Sequence, residues 1–421
     1  MTQAIPFHGW RMVGVAFAVD FIAVGFFFYS FGVFYPAMDA DFEGASFWVA
    51  VGISVSTLGS GLLGPVIGRW LDRYPLRRIM LLGALITSAG FAALSQTHEI
   101  WQYYLVLGTF FAFGLGMMGG MASAKLVANW FSANRGTALG IATVGVSISG
   151  LAMPTVAHWL IEQVGWRNGF LLYAFGILVI AIPLVASFVV TRPEDVGQRP
   201  DGVAPETAVQ ENPADVWWTR GEILRTRNFW IISLPFAMAF AVLSAVLIHL
   251  VSHARDLGID GYRATHAVSL AAGAGAIGKV FFGRLVDRVD PRIAIWTSFA
   301  VQIAGLLVLM AADAYASLVA GGLIYGFGMG GIVPLQGAVT GRAFGRFSFG
   351  EVAGLMRPVQ VPLNMIGIPL AAWIHDATGS FEGAFGIFLG VYVVSATIIS
   401  LLRVPPVPGA PIVSGDEPGL V

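Results

Sequence analysis

Three ionisable side chains interrupt otherwise apolar stretches of the sequence: Asp20 in RMVGVAFAVDFIAVGFFFYSFG, Lys279 in LAAGAGAIGKVFFGRLVD and Arg357 in GEVAGLMRPVQVPLNMIG. A charge in apolar surroundings is costly unless it has a partner or faces a water-filled cavity. Arginine can bind a carboxylate through two parallel hydrogen bonds, and lysine can attract it as a point charge. A carboxyl group can take up and release a proton. The three residues together favour an anion-binding site that also handles protons.

Each of the two cations leaves an alternative open. Lys279 lies about one helical turn from the following loop, so its amine can either reach a central cavity, which we favour, or extend toward that loop. Arg357 is followed by Pro358 and Pro362, which leave backbone carbonyl groups without their helical partners. Its guanidinium group either binds an anion or is satisfied by those carbonyls or by an acid such as Glu351.

The acid and three further polar side chains complete the candidate site. Burial favours the uncharged form of a carboxyl group. Asp20 is therefore expected either to exchange a proton or to be a buried acid that is hydrogen-bonded to a neighbouring helix. Tyr29, Tyr325 and Asn364 are predicted to line the cavity and to supply hydroxyl or amide contacts.

The composition shows what must position these groups. Of the 421 residues, 57% are hydrophobic and 11% are charged, and 53 are glycine. Such a chain is typical of helices packed within a lipid bilayer and leaves no room for a large soluble catalytic domain. There is no phosphate-binding Gly-x-x-x-x-Gly-Lys-Ser/Thr sequence, no spacing that indicates a metal site and no pattern for nucleic-acid binding. We therefore predict neither an enzyme nor a cofactor.

Hydropathy divides the chain into twelve predicted membrane spans. They lie at about residues 11–34, 47–70, 79–97, 101–124, 136–160, 168–190, 229–251, 263–285, 293–312, 315–340, 350–373 and 383–402.

The positive charges predict the orientation of these spans. Of the 23 Lys and Arg residues, 18 fall in even-numbered loops or terminal segments, three in odd-numbered loops and two, Lys279 and Arg357, within spans. Because cationic residues are enriched in cytoplasmic loops, we expect both termini to be cytoplasmic. Compact loops and short tails favour the plasma membrane or the bacterial inner membrane.

One polar segment interrupts the hydropathy near the middle of the chain. Residues 191–227 contain RPEDVGQRPDG and scattered acids, which predict a flexible cytoplasmic linker. This division predicts one six-helix bundle at 1–190, a second at 228–403 and a cytoplasmic tail at 404–421. The sequence WWTRGEILRTRNFW at the end of the linker indicates either an interfacial segment or a partly ordered loop.

The two predicted bundles repeat each other. GRWLDRYPLRR starts at Gly68 and GRLVDRVDPRI starts at Gly283, an offset of 215 residues that also relates Pro154 to Pro369. Matching landmarks in the same order predict two pseudo-symmetric bundles that face each other across a central site.

The repeated sequence resembles the Gly-x-x-x-Asp-Arg loop motif of the major facilitator superfamily, over the whole length of the chain. The resemblance implies an all-α membrane protein of twelve transmembrane helices. It also implies a conformational latch, with the alternative that the arginines only anchor the loops. The residues that match the motif are Gly68, Asp72, Arg73, Gly283, Asp287 and Arg288.

Further strings resemble the monocarboxylate and organic-anion porter branch, which includes oxalate/formate antiporter-like proteins. They are Gly9-Trp10, YSFGVF, NWFSANRGTALGIATVG, RPEDVG and ARDLGI. Lys279 occupies the position of that family's binding arginine in the eighth span. A family acid one turn earlier falls on Gly275. The lysine that oxalate exchangers carry in the eleventh span is matched most nearly by Gln360, with Arg357 one turn earlier.

The resemblance implies a secondary active transporter that moves a small organic anion, of the monocarboxylate class, with a proton by alternating access. The expected partners are that anion, the proton and the lipid bilayer, and the expected functional unit is a monomer. An organic-anion exchanger and a proton-coupled drug efflux transporter are the alternatives within transport. A membrane ligand sensor is the alternative outside transport.

Overall fold

A computed structural model describes residues 6–42, 46–203 and 215–403, so the predicted tail at 404–421 and the middle of the predicted linker lie outside the described residues. Within these ranges the chain forms helices and connecting segments and no strand. Apolar side chains dominate nearly every helix, as expected for elements that pack in lipid.

The first half of the chain forms spans 1 to 6, numbered in chain order. Span 1 consists of Gly9–Val24, the π-helical turn Gly25–Tyr29 and Ser30–Asp41. Span 2 is Ser46–Arg73 and span 3 is Leu76–Ser95, and span 4 consists of Ile100–Val106, the π-helical turn Leu107–Phe111, Ala112–Met118 and Met121–Trp130. Spans 5 and 6 together consist of Arg135–Gly176, Ile177–Ala181 and Ile182–Phe188. Spans 5 and 6 join without a loop at Gly165, whose φ of 76° bends the chain in a conformation that favours glycine.

The second half forms spans 7 to 12. They are Arg227–Asp256, Gly261–Arg288, Pro291–Met310, Tyr315–Met329 continued by Ile332–Phe344, Phe349–Thr378 and Glu382–Ile399. The segments between the halves form two short 3-10 helices, Pro193–Val196 and Pro200–Gly202, and the linker helix Arg220–Arg225.

Twelve spans agree with the sequence prediction. Among the described residues, ten segments are long and apolar enough to cross a membrane by length and composition. One of them, Arg135–Phe188, contains two spans because it bends at Gly165. Span 11 completes the set; it is less apolar because its middle carries Arg357, Gln360 and Asn364 among prolines. The predicted all-α architecture of twelve transmembrane helices is confirmed.

The hydrophobic core consists of two clusters, one within each half. Buried side chains from Met12 to Val189 form the first cluster, and those from Ile223 to Leu402 form the second. The two halves are in contact at one end of the bundle, where Arg346 of the second half pairs with Glu194, which follows span 6, at 2.7 Å. We call this end, which carries the first and last described residues, the termini face.

Candidate functional site

The termini face is closed where span 8 crosses span 5. The carboxylate of Asp287, at the end of span 8, accepts hydrogen bonds from the backbone nitrogens of Gly136 at 2.8 Å and Thr137 at 2.7 Å. These are among the first residues of span 5, whose N–H groups have no helical partner. A carboxylate is favoured there by both the hydrogen bonds and the helix dipole.

The repeat places a second closure where span 2 crosses span 11. Asp72 accepts from the backbone nitrogens of Gly350 at 2.9 Å and Glu351 at 2.6 Å. Asp72 also forms a direct ion pair with Lys125 at 2.6 Å, and both side chains are almost fully buried. Asp287 has no such ion pair with any residue that the structure describes. Lys125 additionally donates to the carbonyl groups of Arg346 and Phe347, so it ties span 4 to the loop before span 11.

Glycine allows the backbones to approach at both crossings. A methyl group added at Gly283 would lie 3.0 Å from the carbonyl carbon of Gly136 and 3.3 Å from the Cα of Gly140. One added at Gly68 would lie 2.8 Å from the carbonyl carbon of Gly350. These distances are shorter than ordinary carbon contacts, so a larger side chain would force the halves apart.

The arginines of the repeated motif do not join these closures. Arg73 and Arg288 are exposed, and neither has a hydrogen bond or ion pair with another residue that the structure describes. Other cations lie at the two crossings instead: Arg342 donates to the carbonyl of Val286, and Arg220 pairs with Glu351 at 2.8 Å.

A cavity of about 260 Å³ lies between the two halves, on the inner side of the closed termini face. It is bounded by spans 1, 4 and 5 of the first half and by spans 7, 10 and 11 of the second. Its charged and polar lining residues are Asp20, Ser123, Thr143, Gln336, Thr340, Arg357 and Gln360. The remaining wall is largely apolar, with Leu139, Val146, Phe240, Val333, Phe349 and Met356 among its members.

Asp20 lines this cavity at a break in span 4. Its carboxylate accepts a hydrogen bond from the backbone nitrogen of Gly120 at 2.8 Å, and its side chain is almost fully buried. Gly120 has a φ of 41°, a conformation that favours glycine, and precedes the helix Met121–Trp130. Asp20 therefore stabilises the start of that helix while it faces the cavity.

Lys279 lies behind the cavity wall. Its amine donates to the carbonyl of Thr143 at 3.0 Å and to the hydroxyl of Ser147 at 2.7 Å, which joins span 8 to span 5. Both acceptors are uncharged, so its charge is not neutralised by these contacts. Thr143 itself lines the cavity, which places the amine one residue away from the cavity surface.

Arg357 lies directly in the cavity wall and is partly buried. In the ranges 6–42, 46–203 and 215–403 it has no hydrogen bond or ion pair with another residue, and Glu351 is paired with Arg220 instead. Gln360, one turn further along span 11, is 7% exposed, and its Nε2 has no hydrogen-bond partner among the described residues. The cavity thus has an unpaired cation beside an unpaired amide donor.

The other predicted lining residues lie elsewhere. Tyr29 is partly exposed, with its ring against Gly150. Tyr325 is fully buried within the second half, where its hydroxyl lies 3.1 Å from that of Tyr392. Asn364 lies one turn beyond Gln360 on span 11, outside the cavity lining, with a buried Oδ1 that has no partner in the described part of the chain. Their roles in substrate binding remain predictions.

Four polar residues of the cavity lining were missed from the sequence: Ser123, Thr143, Gln336 and Thr340. A single polar residue in a span carries no signal that distinguishes a cavity face from a packing face. Lys125 was counted only as a loop cation, since nothing in its local sequence indicates the pairing with Asp72.

Comparison with known proteins agrees with this architecture. Residues 18–361 match the family described as Major Facilitator Superfamily. The human organic anion transporter MFSD10 (TETRAN) aligns with a TM-score of 0.68 and 14% identity over 94% of this chain and 100% of that one. The proton:xylose symporter XylE aligns with a TM-score of 0.72 and 12% identity over 94% of this chain and 96% of that one. At such identities the structures support the fold alone.

Curated relatives are monocarboxylate transporters. Monocarboxylate transporter 13 of Bos taurus is 28% identical over 385 residues, which cover 90% of this chain and 85% of that protein. Monocarboxylate transporter 2 of Homo sapiens is 25% identical over 433 residues, which cover 96% of this chain and 88% of that protein. The resemblance to this branch is therefore confirmed, and the protein is a transporter rather than an enzyme. The chain belongs to the Major Facilitator Superfamily.

Proposed function

We propose that this transporter carries a small organic anion, of the monocarboxylate class, together with a proton by alternating access. The observation that carries the proposal is the guanidinium group of Arg357, which lines a central cavity without a partner among the described residues. A desolvated cation of this kind is stabilised by an anion, and a guanidinium can hold a carboxylate through two hydrogen bonds.

Lys279 and Asp20 give the site its charge balance in this proposal. Lys279 is held by a carbonyl and a hydroxyl group, so it adds a second positive charge close to the cavity. With Asp20 protonated and one carboxylate bound, the site would carry the same net charge as the empty site with Asp20 ionised, because the proton and the anion cancel. Binding both together therefore adds no net charge that must be buried when the halves close. Asp20 is the favoured proton carrier because it is the carboxyl group that lines the cavity.

We propose that the closures at Asp72 and Asp287 act as the conformational latch of alternating access. Each carboxylate is held by backbone N–H groups of a helix in the opposite half, so these bonds must break when the termini face opens. Residues 1–190 and 228–403 would be the units that move, with the linker 191–227 between them. The excess of positive charge on the termini face indicates that this face is cytoplasmic in a plasma or inner membrane.

Uptake into proteoliposomes tests the transport proposal. Radiolabelled short carboxylates are offered with and without an inward proton gradient, to the wild type and to Arg357→Gln. We expect uptake that is accelerated by the gradient and reduced at least tenfold in the variant, because a charged hydrogen-bonding partner of the substrate is lost. Arg227→Gln, which removes a surface arginine of the second half, is the matched control and should transport normally.

The outcomes separate the alternatives. Uptake that ignores the proton gradient but is driven by anions loaded inside would reject symport and favour exchange. Equal uptake by wild type and Arg357→Gln would reject the anion site. Saturable binding without any uptake would favour a membrane sensor.

A further inference from the structure

A shallow apolar groove of about 490 Å³ lies between spans 5 and 8 and shares no lining residue with the central cavity. Its walls are Val144 of span 5 and Ala276, Ile277, Val280 and Phe281 of span 8. Ile277 and Phe281 are exposed, so the groove is open to the surroundings of the bundle. A methyl group added at Gly140 would lie 3.1 Å from the carbonyl carbon of Lys279, so the two backbones touch beside the groove. The groove therefore exists only where the two halves are in contact.

Two arginines continue the groove toward the termini face. Span 8 carries, in order, Ile277, Phe281, Arg284 and Arg288. Spacings of four, three and four residues place these side chains on one side of the helix. Both arginines are exposed, and neither has a hydrogen bond or ion pair with another residue that the structure describes. At a rise of 1.5 Å per residue, Ile277 lies about 16.5 Å from Arg288, close to half of the hydrocarbon thickness of a bilayer. The groove thus has the length of one leaflet, with the arginines at its headgroup end.

The repeat shows how the chain itself covers the matching crossing. The four corresponding positions, 215 residues earlier on span 2, are Leu62, Val66, Arg69 and Arg73. Val280 of the groove corresponds to Pro65, whose carbonyl accepts a hydrogen bond from Nη2 of Arg220 at 2.8 Å. Arg220 belongs to the linker helix and also pairs with Glu351, so the linker covers the crossing of spans 2 and 11. Among the described residues, spans 5 and 8 alone line the groove at Val280, so no segment takes the place of Arg220 there.

We propose that this groove binds an anionic phospholipid of the leaflet at the termini face, with one acyl chain between spans 5 and 8 and the phosphate at Arg284 and Arg288. The acyl chain meets an apolar wall, and the phosphate meets two cations that lack other partners in the described part of the chain. Guanidinium groups bind phosphate through charge-assisted hydrogen bonds, and the apolar stems of arginine can lie along the groove while the charged ends reach the interface. This partner differs from the transported anion, and its binding does not depend on the proposed substrate.

The charge of the two arginines sets the expected preference among headgroups. One arginine near an anionic membrane surface strengthens the attraction about fivefold, so two strengthen it about 30-fold. Phosphatidylglycerol has a net negative charge and gains this contribution. Phosphatidylcholine carries the same phosphate, but its trimethylammonium group cancels the charge, so it retains only the contribution of the acyl chains.

Native mass spectrometry of the purified, delipidated full-length protein tests the proposal. Phosphatidylglycerol and phosphatidylcholine with identical acyl chains are titrated separately, and the intensities of the lipid adducts give the two affinities. We expect the wild type to bind phosphatidylglycerol about 30-fold more tightly. The double variant Arg284→Gln/Arg288→Gln should bind the two lipids within about threefold of each other.

Two further variants separate the headgroup from the acyl chain. Arg69→Gln/Arg73→Gln is the matched control, because it also removes two positive charges but at the crossing that the linker helix covers, and it should keep the wild-type preference. Ala276→Trp fills the groove and leaves Arg284 and Arg288 in place. It should weaken the binding of both lipids at least tenfold, which corresponds to lost burial of about two CH₂ groups.

Any of four results would overturn the inference. Equal affinities of the wild type for the two lipids would reject the headgroup site, and this comparison needs no variant. An equal loss of preference in the two double variants would assign it to the general charge of the termini face. Unchanged lipid binding by Ala276→Trp would place the acyl chain outside the groove. A dimer that disappears in Ala276→Trp would identify the groove as a contact between two copies of the chain.

Discussion

Replacement of Gly283 by alanine should open the termini face. The glycine lies where span 8 crosses span 5, and an added methyl group would be 3.0 Å from the carbonyl carbon of Gly136 and closer still to its oxygen. Carbon atoms pack favourably at about 3.5–4.0 Å, so the two backbones must separate by several tenths of an ångström or more. Asp287, one turn further, would then lose the geometry of its two hydrogen bonds to span 5.

The size of the effect follows from these contacts. Overpacking costs about 1–3 kcal/mol, and the cost arises only in the state in which spans 5 and 8 touch. The open state makes no such contact under the proposed mechanism. The ratio of open to closed molecules should therefore rise about 5- to 150-fold.

Cysteine labelling measures this ratio directly because the natural chain contains no cysteine. A single cysteine replaces Ala142, which lines the cavity, and a membrane-impermeant maleimide is added only at the termini face. Gly283→Ala should accelerate labelling. Gly273 lies on the same helix, but a methyl group added there meets nothing within 4 Å, so Gly273→Ala should leave the labelling rate unchanged. Equal labelling rates in the two variants would refute the role assigned to the crossing.

Three further predictions concern individual side chains. Lys125→Met should lower the free energy of unfolding by about 3–5 kcal/mol, because Asp72 is left buried without its ion pair. The double variant Lys125→Met/Asp72→Asn should recover part of this lost stability, and thermal denaturation of both variants measures the difference. Tyr325→Phe should lower the free energy of unfolding by about 1 kcal/mol because the hydroxyl contact with Tyr392 is lost. A large rise in the KM for transport in the same variant would support the predicted role of Tyr325 in substrate binding, and an unchanged KM would contradict it. Asp20→Asn should abolish the acceleration of uptake by a proton gradient while anion exchange continues; a variant that still responds to the gradient would show that another group carries the proton.

The sequence predicted the parts of the architecture that depend on composition and repetition. Twelve apolar stretches, the displaced pair of Gly-x-x-x-Asp sequences and the intramembrane charges are all visible without coordinates. The structure brings Asp20 and Arg357 together in one cavity and Lys279 to its wall, and their roles in binding and proton transfer stay predictions. Such features are predictable because an apolar environment leaves few places for a charge.

Partners that lie far apart in sequence were not predictable in this way. The repeated motif suggested that Arg73 and Arg288 would accompany the two aspartates, but both arginines are exposed and the carboxylates bind backbone N–H groups. Lys125 reaches Asp72 from another helix, so the pairing depends on how spans 2 and 4 pack.

The rotation of each helix about its own axis was a second feature that the sequence did not predict. Tyr325 and Gln336 both belong to span 10, yet one hydroxyl packs inside the second half and the other side chain lines the cavity. In spans that are apolar on nearly every side, hydropathy gives little information about which face meets the cavity. The direction of each polar side chain therefore became clear only from the packed bundle.

Equilibrium binding of a radiolabelled short carboxylate to the purified protein tests the central claim most directly, because it isolates the anion site from the coupling and latch mechanisms. The wild type should bind the acid with an affinity that is about 10- to 100-fold higher than that of Arg357→Gln, the loss expected when a charged partner of a carboxylate is removed. Affinities within about twofold of each other would contradict the assignment of Arg357 as the residue that holds the transported anion.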